Sequence, residues 1–565
     1  MTLTQWFIFF LVIQAIHGLS TWKLYIKAGR QAWEAFVPVY NAIVLMQIIN
    51  RPKWWTILLF IPVINLIMFP VLWVETCRSF GKNTYLDTAL AILSCGFYVT
   101  YINYTQEPTH IKDRSLEPKS SSGEWTSSIL FAIIAATLVH TYFMQPFVIP
   151  TSSLEKTLLK GDFLLVSKFH YGARLPMTAV AAPMVHDTLP VVNTTSYLKK
   201  PQIPYLRIPG FQKIKRNDIV VFNWPADTLF NMYIAADKKY EKPIDKKTNY
   251  VKRCVGIAGD SLEIRDGYVF INGKQTVLPD RAKTQFYYTV ISKKILSAKY
   301  LKEEIGTTEY NRFYVLDKKT AINRYRKIAN LFKPFPNDST KYLIEFQGDF
   351  KPPNDFKATD RYSINMSDEE QKKLRENSNI VSVKRNTKPK GEKDDRPIFP
   401  SNKNGVWNGD NMGPIYIPEA GKTVALNKKV LPLYKDIISE YEGNKLSTDG
   451  HDIYINDKIA TSYTFKQDYY WMMGDNRQNS LDARYWGYVP FDHVVGKPVF
   501  VWMSISGVEL GLKNFKNWVF NKERIFTTVG GSGKPVSYLP YFLILLVIWQ
   551  GYKFYKKKKA TNEEE

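Results

Sequence analysis

Residues 250–273 read YVKRCVGIAGDSLEIRDGYVFING, and their pattern sets the fold class. Short apolar and β-branched runs are cut by Gly259-Asp260, Asp266-Gly267 and Asn272-Gly273, the punctuation of strands joined by tight turns. The pattern recurs in FLLVSKF (163–169), DIVVFNW (218–224), HDIYIND (451–457) and KPVFVWM (497–503). Residues 149–280 and 449–535 therefore predict a mainly β domain in two parts. Between them, 281–448 is rich in Lys, Asn and Asp with weak periodicity, and reads as an insertion, partly disordered. Residues 366–396 (MSDEEQKKLRENSNIVSVKRNTKPKGEKDDR) look loop-like.

Outward from this core the chain turns apolar. Of its 565 residues 45% are hydrophobic and 15% aromatic, but the long apolar runs sit in the first 150 residues and near residue 540. Residues 4–22, 54–74, 84–104, 126–147 and 536–552 each approach the length that crosses a hydrocarbon core of roughly 30 Å. The expected organisation is a multi-span region (1–125), a transmembrane helix (126–148), the β domain, a second anchor (536–552) and a charged tail (553–565). Helical membrane segments thus lie at both ends of the β domain. Segment 31–50 holds Glu34 and Pro38 and is read as interfacial or re-entrant. The first run lacks the basic start of a cleavable leader, so it is read as retained.

The net charge of +24 and pI near 9.5 suit an anionic membrane surface or nucleic acid. No helix-turn-helix, zinc-finger or RNA-binding signature is present, so a nucleic-acid partner is not expected. Basic residues cluster at 17–53, at 105–125 (Lys112, Arg114, Lys119) and in the tail. The positive-inside rule places these in the cytoplasm and 150–535 outside. Three cysteines (Cys77, Cys95, Cys254) leave one thiol in the soluble part, which excludes a disulfide framework there.

No H-E-x-x-H is present, and His170, His186, His451 and His493 are scattered, so neither a metal centre nor a Ser-His-Asp triad is expected, and no cofactor. Three polar blocks stand out. Pro150-Thr151-Ser152-Ser153-Leu154-Glu155-Lys156-Thr157-Leu158 begins where a membrane run ends; alone it is a helix cap or turn. Tyr250 to Asp260 puts Lys252 inside an apolar strand, either as an edge charge in solvent or as an amine in a dry pocket. Gly474-Asp475-Asn476-Arg477-Gln478-Asn479-Ser480-Leu481-Asp482-Ala483-Arg484 alone is a polar turn.

Together the three blocks resemble the type I signal peptidase family, whose blocks read P-S-x-S-M-x-P-T-L, K-R-x-x-G-x-P-G-D and G-D-N-R-x-x-S-x-D-S-R. Gly161-Asp162 and Asn217 to Phe222 match two lesser blocks. The resemblance covers about 126–280 and 450–505 and implies a signal-peptidase-like β fold. It implies Ser153 as nucleophile and Lys252 as general base. The Ser153 N–H and the Thr151 hydroxyl would form the oxyanion hole. Ser480 would orient the Lys252 amine, Asp482 and Arg484 would form a supporting ion pair, and Asp475 and Arg477 would stabilise the same loop. Departures are Thr151 for Ser, Ser152 for Gly, Leu154 for Met, Lys156 for Pro, Ala258 for Pro and Ala483 for Ser.

The pairing is chemically coherent. A lysine amine with a pKa of about 10.4 is almost wholly protonated at neutral pH. Burial disfavours the ammonium and can lower that value by about 3–5 units, and Val251, Val255 and Ile257 supply apolar neighbours. Arg253 should point to the opposite face of the strand. The family implies a bacterial cytoplasmic-membrane enzyme that removes signal peptides from exported preproteins after a small-x-small sequence, with preproteins and the bilayer as partners and the secretion translocon as a further candidate. An extended substrate would add as a strand. Phe222-Asn223-Trp224-Pro225 is expected to be exposed and to rest on the membrane. Two rivals make different demands. Ser153-Leu154-Glu155-Lys156 spells the S-x-x-K of penicillin-binding acyl-transferases, which would make Lys156 essential, although their S-D-N and K-T-G elements are missing. A non-catalytic envelope binding protein would have lost part of the Ser153, Lys252, Ser480, Asp482 set.

Overall fold

The computed structural model describes residues 1–118, 120–230, 238–307, 309–336, 338–348, 350–400, 407–450, 452–508 and 511–564. Lys119 and His451 lie outside the described residues. The organising element is a nine-stranded sheet, antiparallel at every pairing. Its spine runs β1 (Met144–Val148), β2 (Asp162–Ser167), the long strand Val494–Ser506, β3 (Ile219–Asn223), β4 (Asn249–Gly256), Tyr469–Met473 and Val489–Pro490. The two sequence halves interleave here, since Val494–Ser506 lies between β2 and β3.

Alternation explains why this sheet is apolar on both faces. In β3, Ile219 and Val221 enter a small core with Ile149, Leu154, Leu158 and Leu164. Val220 and Phe222 enter the main core with Cys254, Trp471 and Met472 on the other side. A period-2 chain buried on both sides reads as a continuous apolar run, which IVVF does. Phe222-Asn223-Trp224-Pro225 is accordingly not a membrane contact: Phe222 and Asn223 are buried, and Trp224 stacks on Tyr250 at 5.1 Å. Large exposed apolar side chains of this part include Val191, Val192, Leu198 and Phe211.

The insertion is more ordered, and shorter, than its composition suggests. Six antiparallel strands (Lys333–Phe335, Asp338–Gln347, Tyr310–Asp317, Lys357–Ser367, Gln285–Ser292, Ile380–Arg385) form a second sheet with its own core around Phe286, Val290, Leu301, Ile364 and Met366. Within the stretch expected to be loop-like, Asp368–Arg375 is a helix closed by a capping box between Ser367 and Glu370. Beyond it, Met412–Tyr416 pairs with Ser261–Arg265, and Ile415, Ile417, Tyr434 and Ile438 enter the main core. The chain thus rejoins the main core by 412, ahead of residue 449.

Among the described residues two helices are long and apolar enough to cross a membrane, Leu3–Lys27 and Ser121–Phe143. The other expected spans are broken. Segment 54–74 divides into Trp55–Leu58 and Asn65–Ser79 around Pro62-Val63, with Val63 at φ 70. Segment 84–104 bends by 117° between Tyr85–Leu93 and Phe97–Thr105. Its corner is Gly96 at φ +86, where a Cβ would collide with the Trp73 ring. The 31–50 segment gives only short helices, Ala32–Ala35 and Tyr40–Ile48. The tail helix Leu539–Glu564 also falls short. The stretch 539–552, ahead of Lys553, rises only about 21 Å at about 1.5 Å per residue.

Basic residues of the stretches 17–53, 76–82 and 105–125 are held by acidic partners within this region. Lys27 pairs with Glu107, while Arg51, Arg78 and Arg114 gather on buried Glu75. At the opposite end of the first helix, Trp6 donates to the Gln202 carbonyl of the β domain.

Candidate active site

The turn after β1 carries Ser153. Leu154 and Leu158 anchor it in the small core, and the Leu158 N–H donates to the Leu154 carbonyl at 2.7 Å. Gly161 closes the turn at φ +84, where any Cβ would lie 1.9 Å from the Ile505 carbonyl. Lys156 also has a positive φ, 68. Proline, fixed near −65°, cannot adopt it, so the departure from Pro goes with a different turn. Ser152 keeps a negative-φ backbone, so the usual Gly is not needed there.

β4 presents Lys252 and Arg253 to opposite sides, as expected. In register, Lys252 faces Val220 and Arg253 faces Ile219. The Lys252 Nζ lies 2.6 Å from the Ser153 Oγ, with both residues 5% exposed. Burial holds the Lys252 amine down to about 8, a fall that the carboxylates of Asp482 and Asp475 only partly offset. The amine also lies 5.3 Å from the Tyr250 ring centre.

Behind this pair the 474–484 loop is a buried ionic frame. Arg484 grips Asp482 bidentately at 2.8 and 2.9 Å, and Asp482 accepts the Gly474 N–H at 3.0 Å. Asp475 takes two bonds from Arg253, at 2.7 and 2.6 Å, and one from the Thr157 hydroxyl at 2.7 Å. Arg253 therefore does what the sequence reading gave to Arg477. Arg477 itself is buried, with one guanidinium nitrogen against the Met473 sulfur. Gly474 has no room for a side chain: a Cβ would sit 2.3 Å from the Ser480 Oγ and 2.6 Å from the Ser153 carbonyl. Ser480 is fully buried, its hydroxyl lacking a well-formed hydrogen bond, and the expected bond to Lys252 is not made. Thr151 is exposed, and among the described residues its hydroxyl makes no hydrogen bond. The Ser153 N–H is likewise unused by any neighbour among the described residues.

The insertion reaches this frame, which the sequence gave no means to see. Asn476 donates to the Ser152 carbonyl and to Glu309, and accepts from Asn365. The Gln285 N–H donates to the Asp475 carbonyl at 2.8 Å. Lys156 pairs with Glu370 of the insertion and also reaches the Gly306 carbonyl, so it is engaged away from Ser153. Asp492 and His493 form a buried pair at 2.6 Å, but among the described residues no serine hydrogen-bonds to the ring. Among the described residues no cluster of His, Cys, Asp and Glu could hold a metal ion.

The family model described as signal peptidase, peptidase S26, matches residues 122–321 and 415–503, just over half of the chain. A second, described as a family of unknown function (DUF5684), matches 33–113. Curated relatives agree with the first. Signal peptidase I of Buchnera aphidicola subsp. Baizongia pistaciae is 25% identical over 399 residues, 70% of this chain and 82% of the relative. That of Buchnera aphidicola subsp. Acyrthosiphon pisum is 23% identical over 463 residues, 80% and 93% of the two chains. That of Haemophilus influenzae is 22% identical over 425 residues, 73% and 78%.

Proposed function

The chain belongs to the signal peptidase family, peptidase S26, and from that premise we propose that it removes signal peptides from exported preproteins with Ser153 as nucleophile and Lys252 as general base. The observation that carries the reading is the 2.6 Å contact between a buried amine and a buried hydroxyl.

An amide carbon is a poor electrophile and a hydroxyl a poor nucleophile, so the serine proton must leave as attack occurs. In the reacting state the neutral Lys252 amine accepts the Ser153 Oγ proton while Oγ bonds to the scissile carbonyl carbon. The resulting oxyanion takes hydrogen bonds from the Ser153 N–H and the Thr151 hydroxyl, donors typically worth about 3–4 kcal/mol each by removal. The Lys252 ammonium then gives its proton to the departing amine, the C–N bond breaks and an acyl ester remains on Ser153. Lys252 next deprotonates a water, which hydrolyses the ester. Asp482, Arg484, Arg253 and Asp475 fix the loop that holds Lys252 and Ser153 in register. The protein is membrane-bound, with the sheet at the outer face of the cytoplasmic membrane. The placement of Lys27 at the far end of the first helix from the Trp6–Gln202 contact, and the gathering of Arg51, Arg78 and Arg114 on Glu75, support that orientation.

The test is cleavage of a preprotein by the purified full chain in detergent. Ser153→Ala and Lys252→Ala are expected to abolish cleavage, and Lys156→Ala to leave most of it. Loss confined to Lys156→Ala would favour the acyl-transferase chemistry instead.

A further inference from the structure

A cavity of about 190 Å³ lies where the membrane region meets the sheet. This far exceeds the roughly 10–15 Å³ that one water needs. Neither Ser153 nor Lys252 lines it. One wall is the end of the Ser121–Phe143 helix, through Thr137 and His140, and Val63 comes from the break in the 54–74 segment. The remaining walls mix apolar side chains such as Leu175, Ala181, Val185 and Val495 with polar ones, among them Lys168, Arg174 and Lys246.

Lys168, at the end of β2, is the notable group. It is 9% exposed and lines the cavity, yet among the described residues its amine has no hydrogen bond, ion pair or aromatic ring as partner. The charged neighbours that act on it, Arg174 and Arg207, are also cations, and together with burial they hold it down to about 7. Arg174 lines the same cavity, with two guanidinium nitrogens engaged by the Asp492 carbonyl and the Asn223 side chain. Buried Lys246 lines it too. One carboxylate, Asp245, is in the lining, and it is already satisfied by the Met177 and Thr178 N–H groups and the Thr178 hydroxyl. Three basic side chains thus share the lining with one carboxylate, and of the three only Lys168 has no partner among the described residues, the Lys246 amine donating to the Val185 carbonyl. A buried ammonium without a counter-ion is costly, and an anion in the cavity would relieve that cost.

We propose that this cavity is an anion site that takes a phosphate group through Lys168 and Arg174. A compact ammonium beside a planar guanidinium matches tetrahedral phosphate oxygens. The position favours a lipid phosphodiester over a free ion. The cavity sits at the end of a membrane-length helix, where a headgroup would lie, and exposed Met184 lines it. Val191, Val192, Leu198 and Phe211 are exposed on the same 171–211 segment, where acyl chains would meet them. The inference does not depend on the catalytic assignment.

The test uses the full-length protein in an uncharged detergent, with inorganic phosphate and short-chain phosphatidylglycerol as probes. Acetylation of Lys168, followed by peptide mass spectrometry, is expected to slow at least fivefold when the site fills. Protection by phosphatidylglycerol but not by equal inorganic phosphate identifies the lipid as the source; equal protection identifies a free-phosphate site. Lys168→Met should weaken binding at least tenfold while preprotein cleavage in detergent continues. Because the labelling arm uses the unaltered chain, a misfolded variant does not obscure the outcome. Unchanged labelling of Lys168 with both probes, or undiminished binding by folded Lys168→Met, would overturn the proposal.

Discussion

Lys252, the proposed general base, is also a stability liability. Its pKa in the fold is near 8, against an ordinary value near 10.5. The sign follows: the unfolded chain binds this proton more tightly, so the native state is penalised at pH values below about 8. The penalty is relieved as pH rises from 8 to 10.5. At about 1.4 kcal/mol per unit, it amounts to roughly 3 kcal/mol. Lys252→Met should therefore raise Tm at pH 6–7, with the gain fading by pH 10, as calorimetry across that range would record. A flat difference would contradict a desolvated amine. The same shift predicts that kcat/KM rises with pH through a midpoint near 8. Burial, aided by Glu309, raises the Glu155 carboxyl to about 7, so the profile is best measured in Glu155→Gln as well, where the midpoint near 8 should persist. Cys254 is fully buried, with its thiol on the Gly256 carbonyl and its pKa pushed up by burial. It should resist maleimide in the native protein and react only after denaturation. Ser153, Lys252, Asp482 and Arg484 were legible because each sits in a short contiguous block. The Arg253–Asp475 pair was not, because its partners are 222 positions apart and each block alone looks locally satisfied.

At the scale of elements, two close approaches set the geometry. Arg253 and Asp475 tie β4 to the 474–484 loop in a buried ion pair. Removing one partner of such a pair typically costs about 3–5 kcal/mol. Asp475→Asn should lower unfolding stability by that order in denaturant titration, whereas a change below 1 kcal/mol would mean the pair is not structural. Gly474 brings the loop against Ser153. Gly474→Ala must displace either Ser480 or the Ser153 carbonyl, and a shift near 1 Å at a reacting group costs on the order of 100-fold in rate. Strand alternation and turn dipeptides made the main sheet readable, since IVVF and YVKRCV are apolar enough to be buried on both faces. The helix Asp368–Arg375 was obscured because its surface is almost wholly charged and only Leu374 is buried, although Ser367 and Glu370 spell its capping box. The return to the main core by 412 was hidden by the prolines and lysines around Ile415 and Ile417.

For the molecule as a whole, the insertion is built into the site rather than appended to it. Asn365 and Glu309 hold Asn476, which in turn holds the Ser152 carbonyl. Segment lengths alone could not distinguish a span from a broken helix: the turns at Val63 and Gly96 depend on tertiary contacts such as that of Gly96 with Trp73. The orientation predicts that, in intact cells and a cysteine-free background, an impermeant maleimide labels Phe211→Cys but not Ser115→Cys. The reverse pattern would invert the topology. The most direct measurement is to quench the full chain during turnover of a peptide ester and locate the acyl group by mass spectrometry. The account predicts an ester on Ser153, absent in Ser153→Ala and in Lys252→Ala. An acyl group on any other residue, or unchanged acylation of Ser153 in Lys252→Ala, would contradict it.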